Sequence, residues 1–263
     1  MISRGTSSAK RNPVSFTASP LEENPQFTQE FHQLGFKAWP RFLQHSDTHS
    51  WPALYDAFPQ YQLLLRDTAG ELVGIGHTVP LIWDGTLEDL PTSIESIIRR
   101  GLAVKALAAK EKGIVPNTLS ALAAIVPQQH QRQGHSARIL LAMRQIALAH
   151  GIERLIAPVR PILKAAYPLQ PFERYAAWTR QDGSPFDPWI RVHSDLGAKI
   201  LQVLPEGMVV KGSLAQWQEW TGMYFPDTGP YIVPGAMQPV DINTNNGTGR
   251  YADPNLWMLH PVR

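Results

Sequence analysis

The sequence contains no cysteine. Disulfides, thiolate-bound metals and a cysteine nucleophile are thereby excluded. Charge is sparse too: 17% of the residues are charged, the formal net charge is +2, and the basic residues are scattered. Nucleic-acid binders concentrate basic side chains on one face, so no nucleic-acid partner is expected. No apolar run approaches the length of a membrane-spanning helix, so no membrane span is expected. The opening MISRGTSSAKRNP has basic residues with no apolar stretch behind them. Residues 1–12 therefore read as a flexible tail rather than a secretory signal. The nine His are dispersed along the chain, and with no thiolate to join them no metal is expected. There is no internal repeat. Lacking signal, disulfide and anchor, the chain is expected in the cytoplasm.

Hydrophobic residues make up 43% of the 263, enough to bury a sizeable core. One domain over 13–263 is expected, with its core in 13–212 and a Pro- and Gly-rich elaboration over 213–263. PVSFTAS alternates like a strand, and PQFTQEFHQLGFKAWPRFLQHS has helical apolar spacing. In SWPALYDAFP, Ser50 suits an N-cap and Pro52 a first helical turn. YQLLLRDTAGELVGIGHTVPLIWDG reads as a hairpin turning at residues 67–70. A largely helical insertion follows over 86–113. TLSALAAIV is the next strand, ARILLAMRQIALAHG a helix stopped by Gly151, and RLIAPVRP a further strand. ILKAAYPLQPFERYAAW reads as helix interrupted by Pro168 and Pro171. SPFDPWIRVHSDLGA reads as a helix capped by Asp187, with Pro188 first and Gly197 at its stop. KILQVLPEGMVVKG is β structure broken by a turn. From Ser213 onward turn chemistry predominates and regular patterns are few.

One junction stands out. QRQGHSA, residues 131–137, lies between the apolar strand ending in Val126-Pro127 and an amphipathic helix. A helix start exposes unpaired N–H groups and the positive end of the helix dipole, so it suits an anion such as phosphate. It is equally an ordinary strand-to-helix turn. A dinucleotide site would require G-x-G-x-x-G, and this loop has one Gly.

The order of elements, with Gln131, Gly134 and Ser136 spaced as Gln-x-x-Gly-x-small behind Ile125-Val126-Pro127, resembles the GNAT family of N-acetyltransferases. Ser136 stands where the family has Gly or Ala, and the run from Pro127 to Gln131 is one residue longer than usual. A second likeness is His193-Ser194-Asp195-Leu196-Gly197-Ala198, in the place of the family's Tyr-x-x-x-Gly-Phe. Here His replaces Tyr.

The resemblance implies an α/β fold, with a mixed, mostly antiparallel sheet flanked by helices. It also implies transfer of an acetyl or longer acyl group from acyl-CoA to an amine of a small molecule or peptide, by direct attack and without metal. Coenzyme A would lie against Ala124, Ile125 and Val126, its pyrophosphate ringed by Gln131, Arg132, Gln133, Gly134, His135 and Ser136. The thioester would sit where the strands of TLSALAAIV and RLIAPVRP diverge, with a backbone N–H near Val126 as oxyanion donor. His193 is the candidate acid for the leaving thiolate, and a hydrogen-bonded core histidine is its alternative. Glu173 and His77 are candidate bases, and Trp83, Asp84 and Tyr175 candidate substrate contacts. Surface pairing for Glu173, strand burial for His77 and a turn role for Asp84 stay open beside these. The His-for-Tyr exchange also admits a non-transferring relative that binds acyl-CoA or an acyl carrier, or decarboxylates an acyl-CoA. Oligomeric state is left open.

Overall fold

The computed structural model describes residues 16–37 and 39–262. The flexible tail expected over 1–12, and the first three residues of the strand expected over 13–19, lie outside them.

The N-terminal elements are β1 (Thr17–Pro20), α1 (Thr28–Lys37), α2 (Ala53–Ala57), β2 (Gln62–Arg66) and β3 (Leu72–Leu81). The middle of the chain forms α3 (Ile94–Ala108), β4 (Thr118–Ile125), α4 (His135–Ala149) and β5 (Arg154–Val159). After these come α5 (Phe172–Ala176), α6 (Pro188–Asp195), β6 (Lys199–Ser213), α7 (Leu214–Thr221), β7 (Gly229–Tyr231), β8 (Val240–Asn243) and β9 (Thr248–Pro261). The strands form one nine-stranded sheet in the order β1-β2-β3-β4-β5-β9-β8-β7, with β6 paired to the other edge of β9. Every pairing is antiparallel except β4 with β5. This is the mixed, mostly antiparallel sheet expected.

Strand alternation distributes the helices over the two faces. Gly74 and Gly76 of β3 lie under α4, where a Cβ on Gly76 would come within 2.7 Å of Met143. Ile139, Leu140, Met143, Ile146 and Ala147, at helical spacing, form the buried stripe of α4. On the opposite face, His77 meets Phe31 of α1, and Val79 meets α3 at Gly101.

Several local signals act as expected. Asp187 Oδ1 accepts hydrogen bonds from the N–H groups of Trp189 and Ile190, and Gly197 closes that turn at φ 83°. Gly151 stops α4 at φ 68°. Ser50, however, is no N-cap. Its hydroxyl and N–H both donate to the Glu95 carboxylate, and α2 begins only at Ala53. The stretch read as an insertion contains α3, capped by Ser93, with Ile97, Ile98, Gly101 and Val104 buried and the helix packed against β3 at Gly101.

The larger correction concerns the end of the chain. Residues 248–261, read as irregular, form a strand whose two edges take β6 on one side and β5 and then β8 on the other. A core ending at residue 212 would therefore leave β5 unpaired on one edge. The turn expected within β6 is a bulge at Pro205-Glu206-Gly207, opposite Pro254, where neither segment has a ladder partner. Among the described residues no helix is long and apolar enough to cross a membrane.

Candidate active site

Parallel β4 and β5 pair for only three residues, Thr118–Ser120 against Arg154–Ile156, and then part. From Ala121 onward the facing edges lose each other's hydrogen bonds. Over the parting lies a cavity of about 820 Å³, lined by Ala121 to Val126 along and just past β4 and by Ala157 to Arg160 along and just past β5. Trp39, Trp51, Ile94, Met208 and Asn255 line it as well.

The start of α4 opens onto this cavity. Gly134 is its N-cap at φ 77°, and no side chain caps the first turn, so the orphan N–H groups stay available. Arg132, ahead of it, holds φ 62°, a conformation that costs a non-glycine residue about 1–2 kcal/mol. Gln131 turns back, its side-chain amide donating to the Val126 carbonyl at 3.1 Å, and Arg138 donates to the Gln133 carbonyl at 2.8 Å. These bonds fix the loop path. Gln131, Arg132, Gly134, His135 and Ser136 all line the cavity, whereas Gln133 does not. His135 is buried at 2% exposure, its ring edge-on to Phe16 at 4.8 Å. Burial first, then Arg138 and His130, lowers its pKa.

His193 enters the cavity wall from α6. Its Nδ1 lies 2.7 Å from Nε2 of His260 on β9, and its own Nε2 has no hydrogen-bond partner among the described residues. Both rings are 2% exposed. Burial first, and His260 second, holds His193 well below the usual imidazole range. His260 is brought down to about 4 by burial and then by Arg144. At neutral pH both rings are uncharged, and a single hydrogen lies between them.

The other residues singled out in the sequence do not line the cavity. Glu173 is exposed on α5. Tyr175 is buried and donates its hydroxyl to Asp187 Oδ2 at 2.8 Å, supporting the cap of α6. Trp83 is buried, its indole N–H bonded to the Thr86 carbonyl at 2.8 Å. Asp84 is exposed and closes a turn by accepting from the N–H and hydroxyl of Thr86. His77 is completely buried among Phe31, Trp51 and Tyr55, with Nδ1 at 3.2 Å from Gln62 Oε1. Burial, then His32, pushes it down to about 3. Tyr175, Trp83 and His77 serve the packing and Asp84 a turn.

Sequence reasoning missed Arg160, Asn255 and His260. Each reaches the site through pairing of β9 with β5 and β6, which no local pattern announces.

No protein-family model matches the chain. It is 29% identical over 252 residues to an arginine N-acetyltransferase, avaD, of Aspergillus versicolor, covering 85% of each chain. Among solved structures, it resembles the loading GNATL domain of CurA from Lyngbya majuscula at TM-score 0.58 and 16% identity, covering 95% of this chain and 98% of that one. It also resembles a GNAT-like decarboxylase, GphF, solved with isobutyryl-CoA, at TM-score 0.53 and 16% identity, covering 96% and 100%. The parted parallel strands, the Gly134 loop and the likeness to these solved structures together show that the chain has the GNAT fold.

Proposed function

We propose that the protein transfers an acyl group from acyl-CoA to the amine of an acceptor, by direct attack on the thioester. One observation carries this reading: a single cavity joins the start of α4, where no side chain caps the first turn, the unpaired edge of β4 and His193, whose buried Nε2 has no hydrogen-bond partner among the described residues. The first turn of α4 and the backbone at 131–136 suit a pyrophosphate. The free β4 edge over 121–126 offers backbone groups to an amide-bearing arm, and an N–H of that edge would face the carbonyl oxygen as charge develops. The curated relative's named activity, acetylation of arginine, fits such a site.

His193 carries the proton. The sequence suggested an acid, but a ring held neutral at pH 7 has no imidazolium proton to give. In the tautomer whose Nδ1–H donates to His260, Nε2 keeps a free lone pair, which a small movement of the ring would bring to the acceptor. The free amine attacks the carbonyl carbon; the resulting ammonium passes a proton to Nε2; the C–S bond breaks; and the same proton goes to the thiolate. One nitrogen serves as base and then acid, and an amide and a free thiol result.

The test is release of free coenzyme A from acetyl-CoA, with mass spectrometry of the acceptor. Release that requires an amine and yields its amide is expected. Amine-independent thiol release, or carbon dioxide from a carboxylated acyl-CoA, would instead make the protein a hydrolase or decarboxylase. Acetyl-, butyryl- and octanoyl-CoA in parallel would give the acyl length the cavity takes.

A further inference from the structure

The cavity lining contains no carboxylate side chain among the described residues. Its arginines are Arg132, in the loop beneath α4, and Arg160, just beyond β5. Arg160 is built in from behind. Its Nε donates to Asp253 Oδ2 at 2.7 Å, and its Nη2 to Asp253 Oδ1 at 3.0 Å and to the Gly235 carbonyl at 3.1 Å. Asp253 is completely buried and also accepts the Tyr251 hydroxyl at 2.6 Å. Trp39 stands beside the guanidinium at 5.9 Å. Nη1 alone has no hydrogen-bond partner among the described residues, the side chain retains 18% exposure, and the residue lines the cavity.

An ion pair made only for stability would bury its whole guanidinium or leave it in open solvent. Here one carboxylate fixes the plane, and Nη1 is left without a partner on a residue that lines the cavity. That arrangement suits a planar anion, which a rigid guanidinium recognises by direction as well as charge. The rest of the lining has no carboxylate side chain to compete for that guanidinium among the described residues.

We infer that Arg160 binds the carboxylate of the acceptor, which makes the acceptor an amino acid rather than a simple amine. The inference rests on the N-acyltransferase reading above and narrows its substrate class. Trp39, on the same wall, would cover the acceptor's side chain.

The test compares amino acids with their amides, and L-arginine with agmatine, as acceptors for the wild-type protein and acetyl-CoA. Amides keep the size and lose the negative charge; their weaker basicity raises the free-amine fraction, which works against the expected result. A charge-assisted hydrogen bond predicts kcat/KM about 10-fold or more higher for the acid than for its amide. In Arg160→Gln/Asp253→Asn, which removes both charges together, the ratio should fall to near one. Arg160→Lys, with the carboxylate retained, keeps a cation and should preserve part of the ratio if the paired variant does not fold. Equal efficiency for acid and amide in the wild type would overturn the inference while leaving acyl transfer intact. A preference for malonyl-CoA over acetyl-CoA that depends on Arg160, with acid and amide acceptors equal, would overturn it too by assigning the subsite to the donor. If no amine is acylated, the function itself fails. Calorimetry on the coenzyme A complex then still decides the subsite: acid binding 10-fold more tightly than amide supports it, and equal binding rejects it.

Discussion

His193 and His260 lie so close that removing either changes what the other can do. His193→Ala should lower turnover about 100-fold, the usual scale for a lost proton carrier, with coenzyme A affinity little changed. The measurement is turnover per folded molecule, and full activity would leave His193 a structural residue. Nitrogen-15 spectra of labelled histidine give an independent readout: the His193 Nε2 resonance should be that of an unprotonated nitrogen at pH 7. The buried imidazoles also make stability depend on pH. In the unfolded chain a histidine takes up a proton near pH 6.5. Folded His77 does so only near 3 and His260 near 4. Between those limits the unfolded state binds more protons, so stability falls as pH falls below about 6.5, by up to about 1.4 kcal/mol per unit for each ring. Denaturant titrations from pH 7.5 to 4.5 should show this slope. In His77→Gln, with no proton to bind at that position, the slope should be shallower by one histidine's share.

At the scale of elements, the turn into α4 and the ribbon of β6 with β9 are the informative pieces. Gly134→Trp would force a bulky side chain into a left-handed backbone at the helix start. It should abolish coenzyme A binding by calorimetry while circular dichroism shows the fold retained. On the ribbon, Gly212 pairs with Gly249, and both lie beneath α7; a Cβ on Gly249 would stand 2.4 Å from the Trp217 ring. Gly249→Val should cost about 1–3 kcal/mol by overpacking, read as a lower denaturation midpoint. Helices with local signals, α4 with its Gly134 start and Gly151 stop and α6 with its Asp187 cap and Gly197 stop, were legible in the sequence. β9 was not. Asp253, Pro254 and Asn255 look like turn residues, yet Pro254 sits at the bulge, where no ladder partner is lost. Burial on both faces removed the alternation that would have marked a strand. The site divides the same way. Gln131, Gly134 and His193 could be found from the chain because a loop and a helix end place them. Arg160 could not, since its partner Asp253 lies 93 residues away. Tyr175 and Trp83 misled because a polar aromatic looks alike whether it meets substrate or a buried cap.

For the molecule as a whole, the sheet takes strands from before and after residue 212, so the C-terminal segment belongs to its interior. Removing residues 248–263 would strip β5 and β6 of their shared partner and expose Trp257 and Met258, both completely or nearly buried. Such a truncation should yield insoluble protein or one without a cooperative melting transition. A truncated chain that melts like the whole would overturn this account of the core. The position of β9 also has a consequence in time. A chain leaves the ribosome N-terminus first, at about 5–20 residues per second, so β1 to β8 exist before β9 does. In that interval the loop at 131–136 and α4 can form from neighbouring sequence. Arg160 still has no carboxylate behind it, and His193 has no second ring. Under the function proposed, the nascent chain acquires a cradle for the donor before it acquires the means to use one, and catalysis begins only with the arrival of β9.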